Sequence, residues 1–118
     1  MSMRSKESIG DDELTTRQVA DLRRLYPNHC MAVIERAPKC KNLPLIRKPK
    51  KIIEYGTTVG EFKSRIQEEL KLLPTQSFVV MIDNQIPSNS DMMGRLHEIH
   101  KKPNGILRVV YCEESFFG

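Results

Sequence analysis

At 118 residues and 13.6 kDa the chain has room for one domain with a core of its own. Hydrophobic residues at 39% and charged residues at 29% exclude a disordered chain. No stretch approaches the roughly 18 apolar residues of a membrane span, and no signal-peptide apolar core opens the sequence. The net charge is +4, but it is local. Arg36, Lys39, Lys41, Arg47, Lys48, Lys50 and Lys51 fall in one stretch without an acid, and the chain without them is net negative. Cys30, Cys40 and Cys112 are odd in number and lack CxxC spacing, which predicts reduced thiols rather than a disulfide framework or a zinc site. There is no glycine-rich phosphate loop, HExxH or GxSxG. His97 and His100 stand three apart, but no carboxylate or thiol pattern converges on them, and they read as surface histidines. No metal, cofactor or catalytic residue is assigned, and the chain reads as a non-enzyme.

Residues 1–10 are polar and read as a flexible lead. Asp11, Asp12 and Glu13 suit the positive end of a helix, and Val19, Leu22 and Tyr26 supply its apolar stripe up to Pro27. Residues 11–27 are therefore a predicted helical extension. A strand follows at 30–37, with Met31 and Val33 alternating against Ala32 and Ile34. Residues 38–49 carry three prolines and read as a loop, and 50–54 form a second strand around Ile52 and Ile53.

Thr58-Val59-Gly60-Glu61 has the spacing of a capping box. Val59, Phe62, Ile66, Leu70 and Leu73 continue from it as one buried helical stripe, which Pro74 closes. Residues 78–82 are continuously apolar, as in a central strand, and Asp83-Asn84 is a turn. Ile86 is assigned to a very short strand. Asn89 or Ser90 caps a helix to about Lys102 that buries Met93 (or Met92), Leu96 and Ile99. After the turn Pro103-Asn104-Gly105, residues 106–112 form the last strand, and 113–118 are a flexible tail.

The order is a helix, then β-β-α-β-(β)-α-β. It predicts an α+β fold, a ubiquitin-like β-grasp over 28–112 with an N-terminal helical extension, in which the last strand lies centrally. A ferredoxin-like sandwich is the structural competitor.

Tyr26-Pro27, Val33-Ile34-Glu35-Arg36, Asn42-Leu43-Pro44-Leu45, Thr58-Val59-Gly60-Glu61-Phe62, Leu72-Leu73-Pro74-Thr75-Gln76, Asn104-Gly105, Tyr111 and Phe117-Gly118 follow one another at telling distances. In these the chain resembles the autophagy ubiquitin-like modifiers, the group of microtubule-associated light chain three and the GABA-receptor-associated protein, with the segment around residues 42–45 closer to the former. The resemblance implies that Gly118 is activated, passed between cysteines of an activating and a conjugating enzyme, and joined to phosphatidylethanolamine on autophagosomal membranes. It also implies a cysteine protease that releases the conjugate, and a cytoplasmic monomer when unconjugated. Glycine suits the role, since it lacks the Cβ that would crowd a narrow enzyme channel.

The resemblance further implies docking of cargo-receptor peptides with an aromatic-x-x-aliphatic core on the edge of the second strand. Carried over residue by residue, the aromatic pocket is Leu22, Met31, Val33, Lys50, Ile52 and Ile106. The aliphatic pocket is Ile53, Phe62 and Ile66, with Thr57 and Arg65 at its margin. Leu22, Val33, Phe62 and Ile66 read equally as core residues. Lys50 reads as a partner for acidic peptide flanks or as an edge-strand guard against aggregation. Four departures from the family's pattern bear on partner choice. Lys51 stands for an aromatic residue, Glu54 for a proline, Gln67-Glu68-Glu69 for a basic triplet, and Asp11-Asp12-Glu13 for a basic start.

The cationic strip has three readings: a solvated loop, a surface for acidic peptides, or attraction to anionic lipid. Only Tyr55 lies near it to stack a base, so nucleic acid is not assigned as a partner. Two other functions stay open, a modifier joined to a protein lysine and a peptide-binding adaptor that is never conjugated.

Overall fold

A computed structural model describes residues 16–114. The residues 1–15 and 115–118 are outside it, and with them lie the lead, the acidic start of the extension, Phe116-Phe117 and Gly118. The elements in chain order are α1 (Thr16–Leu25), β1 (His29–Arg36), β2 (Lys50–Glu54), α2 (Val59–Leu70), β3 (Phe78–Met81), α3 (Met93–His100) and β4 (Ile106–Glu113). The sheet runs β2-β1-β4-β3, with β1 and β4 parallel at its centre and both outer pairs antiparallel. The first two strands are joined directly, without the intervening helix that a ferredoxin-like sandwich requires.

β1 is buried on both faces because each covers a different helix. Cys30, Ala32 and Ile34 belong to the main core with Phe62, Ile66 and Leu70 of α2, and with Leu107, Val109 and Tyr111 of β4. Met31 and Val33 belong to a smaller cluster with Val19 and Ile106, covered by Leu22 of α1. A strand's period of two thus places the same sequence run in two cores.

α2 starts where the capping box predicts. Thr58 Oγ1 accepts the Glu61 N–H at 3.2 Å, and the Glu61 carboxylate accepts the Thr58 N–H at 3.0 Å. Val59, Phe62, Ile66 and Leu70 are buried as expected. The helix ends at Leu70, ahead of Pro74. Lys71 takes the left-handed conformation at φ 58°, where Lys71 and Leu72 return N–H groups to Glu68 and Gln67, and Leu73 turns out to solvent.

Besides Leu73, four expectations need correction. The apolar run 78–82 is not central: β3 is the outer strand beyond β4, and its residues alternate between buried and half-buried. Ile86 is exposed and lies in no strand. Ile82 instead bridges Gln85 across a turn whose central residues Asp83 and Asn84 both have positive φ. α3 starts at Met93 with no side-chain cap from Asn89 or Ser90, and it buries Met93, Gly94 and His97 while Ile99 is exposed. His97 is therefore an interior residue at 2% exposure, not a surface one.

The loop after β1 is tied down by Tyr111. Its hydroxyl donates to the Pro44 carbonyl at 2.6 Å and accepts the Ile46 N–H at 3.0 Å, while Arg36 reaches the Leu43 carbonyl at 2.7 Å. Burial raises the Tyr111 phenol above its usual range, so it stays a donor.

Candidate functional site

β2 is the outer strand of the sheet on its side, and its backbone is divided between two directions. The Tyr55 N–H donates to the Asn28 carbonyl and the Ile34 N–H to the Pro49 carbonyl, both at 2.9 Å. Hydrogen-bonded pairs alternate along an antiparallel ladder, so Lys51 and Ile53 spend their backbone groups on β1, and Lys50 and Ile52 turn theirs outward.

The side chains alternate as well. Lys50 and Ile52 stand opposite Val33 and Met31 in register, on the sheet face that α1 covers. A narrow cleft of about 10 Å³ opens there between α1 and the strands, lined by Leu22, Tyr26, His29, Met31 and Ile52 among others. Ile52 is 42% exposed, unusual for an isoleucine on a strand, and forms its outer wall. Leu22, Met31, Val33 and Ile106 do come together in one cluster, but Val33 and Ile106 are buried in it and do not line the cleft. Tyr26 and His29, whose rings meet edge to face at 5.5 Å, also line it. The sequence signal that could have found them is Tyr26's place one helical turn beyond Leu22.

On the opposite face a cavity of about 260 Å³ lies between β2 and α2. Ile53, Phe62 and Ile66 form an apolar floor, each at most 3% exposed, and Arg65 stands at the margin as expected. Thr57 is buried nearby but does not line the cavity. Lys51 and Glu69 complete the wall. The Lys51 ammonium donates to both Glu69 carboxylate oxygens, at 2.6 and 2.8 Å. Two of the positions that depart from the family's pattern thus face each other, which spacing alone did not reveal.

The three cysteines are free and buried, yet two of them meet. Cys40, Cys112 and Glu113 place their donor atoms within 4.8 Å of one another. Burial, then the neighbouring Cys40, pushes the Cys112 thiol up to about 12, and burial pushes Cys30 up to about 11. The Cys40 hydrogen bond holds Glu113 below the usual carboxylate range. Sequence spacing pointed away from such a cluster, because its members join only through the pairing of β1 with β4. Among the described residues no helix is long and apolar enough to cross a membrane.

A mixed sheet grasping one capped helix, with parallel first and last strands at its centre and an open second strand, defines a ubiquitin-like β-grasp protein. The family model described as "Autophagy protein Atg8 ubiquitin like" matches residues 15–118. Among similar proteins, Autophagy-related protein 8 of Mycosarcoma maydis is 31% identical over 97 residues, which span 82% of this chain and 81% of that protein. Autophagy-related protein 8d of Arabidopsis thaliana is 30% identical over 101 residues, 86% of this chain and 83% of that one. The chain belongs to the autophagy Atg8 ubiquitin-like family.

Proposed function

We propose that the chain is an autophagy modifier conjugated through Gly118 to phosphatidylethanolamine, and that it recruits cargo receptors by adding their aromatic-x-x-aliphatic segments to β2. The observation that carries the docking half is the outward backbone of Lys50 and Ile52 standing between two apolar recesses on opposite sheet faces. In an added strand, residues three apart point to opposite faces. An aromatic side chain is then directed at the cleft under α1, which at about 10 Å³ has to widen by movement of α1 or Tyr26 to admit a ring, while the aliphatic one, three residues on, reaches the cavity floored by Ile53, Phe62 and Ile66. Backbone hydrogen bonds supply affinity and the recesses supply specificity. Lys50, on the α1 face beside Ile52, meets an acidic residue flanking the peptide core.

The conjugation half rests on family membership, the match of the family model reaching through Phe117-Gly118. The chemistry belongs to the partner enzymes. ATP converts the Gly118 carboxylate to an acyl adenylate with release of pyrophosphate, a cysteine thiolate displaces AMP, and the lipid amine finally displaces the thiolate to leave an amide. Two acyl chains are what stable anchoring takes, so the modifier is cytoplasmic before conjugation and held on autophagosomal membranes after it.

Incubation with the activating and conjugating enzymes, ATP and phosphatidylethanolamine liposomes should give a faster-migrating, liposome-bound product that Gly118→Ala does not form. Its absence, or a product joined to a protein lysine instead, overturns the conjugation reading. Titration of an acidic aromatic-x-x-aliphatic peptide should show weaker binding to Lys50→Glu than to the wild type. Equal affinities would remove Lys50 from the site.

A further inference from the structure

Where β1 leaves the sheet, a cysteine takes over its hydrogen bonding. The parallel ladder of β1 and β4 runs to Arg36 opposite Tyr111, and the Ala37 N–H still donates to the Tyr111 carbonyl at 2.9 Å. The next rung would join the Glu113 N–H to the Ala37 carbonyl. That carbonyl instead accepts the Cys40 N–H at 3.0 Å, and the Glu113 N–H donates to Cys40 Sγ at 3.3 Å. The loop has folded back so that a sulfur replaces a strand. The Cys40 thiol in turn donates to one Glu113 oxygen, the other Glu113 oxygen accepts from Asn42 Nδ2 at 2.9 Å, and Cys112 Sγ lies within 4.8 Å of both donor atoms.

We propose that Cys40, Cys112 and Glu113 form a binding site for a thiophilic divalent transition metal, zinc being the type. Two sulfurs and one carboxylate oxygen make a donor set that such an ion prefers over calcium or magnesium, whose sites are built from oxygen. A tetrahedral zinc with bonds of about 2.0–2.3 Å sets its donors roughly 3.5–3.8 Å apart. Donor atoms already within 4.8 Å need only side-chain adjustment to reach that spacing. Asn42 fixes the carboxylate from behind, as outer partners of metal ligands do.

Access is also provided. Both cysteines are fully buried, but Glu113 and Asn42 line a cavity of about 300 Å³ shared with Leu43, Thr75, Gln76 and Ser77. Three protein donors would leave a fourth position to water or an incoming ligand, and Glu113 is the donor that borders the cavity. On binding, each thiol releases its proton to solvent, and the two thiolates and one carboxylate exceed the charge of a dication by one. Lys39 and Lys41, which flank Cys40 in the chain, are cations of the strip that the docking edge leaves without a role. The ion would clamp the loop after β1 to the end of β4, directly ahead of residues 115–118.

The full chain, reduced, untagged and stripped of metal, is titrated with Co²⁺ as the optical probe and then with Zn²⁺. The expected result is one equivalent bound per chain, a sulfur-to-cobalt charge-transfer band, displacement of cobalt by zinc, and a higher melting temperature with zinc. Cys40→Ser and Cys112→Ser should each abolish the band, Asn42→Ala should weaken zinc binding about tenfold, and Cys30→Ser should leave it intact. Glu113→Gln, at a half-buried position, serves as the ligand variant if a cysteine variant fails to fold, and should also lose affinity. No charge-transfer band, binding that survives Cys40→Ser with Cys112→Ser, or equal loss in Cys30→Ser overturns the site. This outcome is independent of whether Gly118 is conjugated.

Discussion

His97 is an imidazole in the interior, and its two nitrogens are treated differently. Nε2 lies 2.8 Å from the Gly105 carbonyl, which can only accept, so Nε2 carries the proton; Nδ1 is buried without a partner. Burial holds the group below the ordinary value of 6.5, against the smaller opposing pull of the Gly105 carbonyl. Between the lowered folded value and 6.5 the unfolded chain binds more protons, so stability rises with pH across that window. Above 6.5 neither state is protonated and the contribution is constant. The melting temperature should therefore fall as pH is lowered below the ordinary histidine value of 6.5, and His97→Gln should flatten that dependence in a thermal-melt series. The sequence allows two stripes: Met92, Leu96 and Ile99 fall at i, i+4, i+7 and turn His97 outward, whereas Met93, four residues before His97, carries it inside, and the second is the one the fold uses. Gly94 beside it sits where a Cβ would lie 2.6 Å from Tyr55 Cγ and 2.8 Å from Tyr55 Cα. Its own N–H donates to the Tyr55 carbonyl at 3.1 Å, which fixes the close approach. Gly94→Ala should cost roughly 1–3 kcal/mol of stability in denaturant melts, since backbone has to move.

At the scale of elements, β2 and α2 were legible where local rules act. The capping box announced the start of α2 and its 3.6-residue stripe announced the buried face, because both depend on residues close in sequence. The end of α2 was not legible, since a left-handed lysine leaves no compositional mark of the kind glycine does. The pairing of the two elements was not legible either. Lys51 and Glu69 are each about a quarter exposed and meet in a two-pronged contact across the cavity mouth. Lys51→Glu should destabilise the chain, Glu69→Lys should do the same, and the two together should recover part of the loss. A double-mutant cycle by denaturant unfolding should return a coupling of roughly 0.5–1 kcal/mol, the upper range for a partly solvated pair. The apolar residues proposed for docking were legible only through family resemblance, because as a pattern Ile53, Phe62 and Ile66 are ordinary core positions.

For the whole molecule, the β-grasp order could be read from the succession of elements, but not which strand lies outermost. A continuous apolar run predicts a strand with two covered faces, and β1 meets that description while β3 does not. The long loop after β1 was legible as a loop from its prolines, but its anchoring was not, since Tyr111 lies at the far end of the sequence from Pro44 and Ile46. Tyr111→Phe leaves a carbonyl and an N–H without their partner and should cost roughly 1–3 kcal/mol. Limited proteolysis should then cut within residues 37–49 faster than in the wild type, while cleavage elsewhere is little changed.

The parallel pairing of β1 with β4 has a consequence for how the chain comes into being. The middle of the sheet is built from the first and last strands, so its central contacts are among the longest in sequence that the chain can make. Folding must close that loop before the contacts return any energy, which slows the search. During synthesis, everything up to α3 emerges before the central rung has its second half. Completion of the sheet therefore waits for β4, and a nascent chain that has not yet extended past residue 106 holds β1 without its central partner.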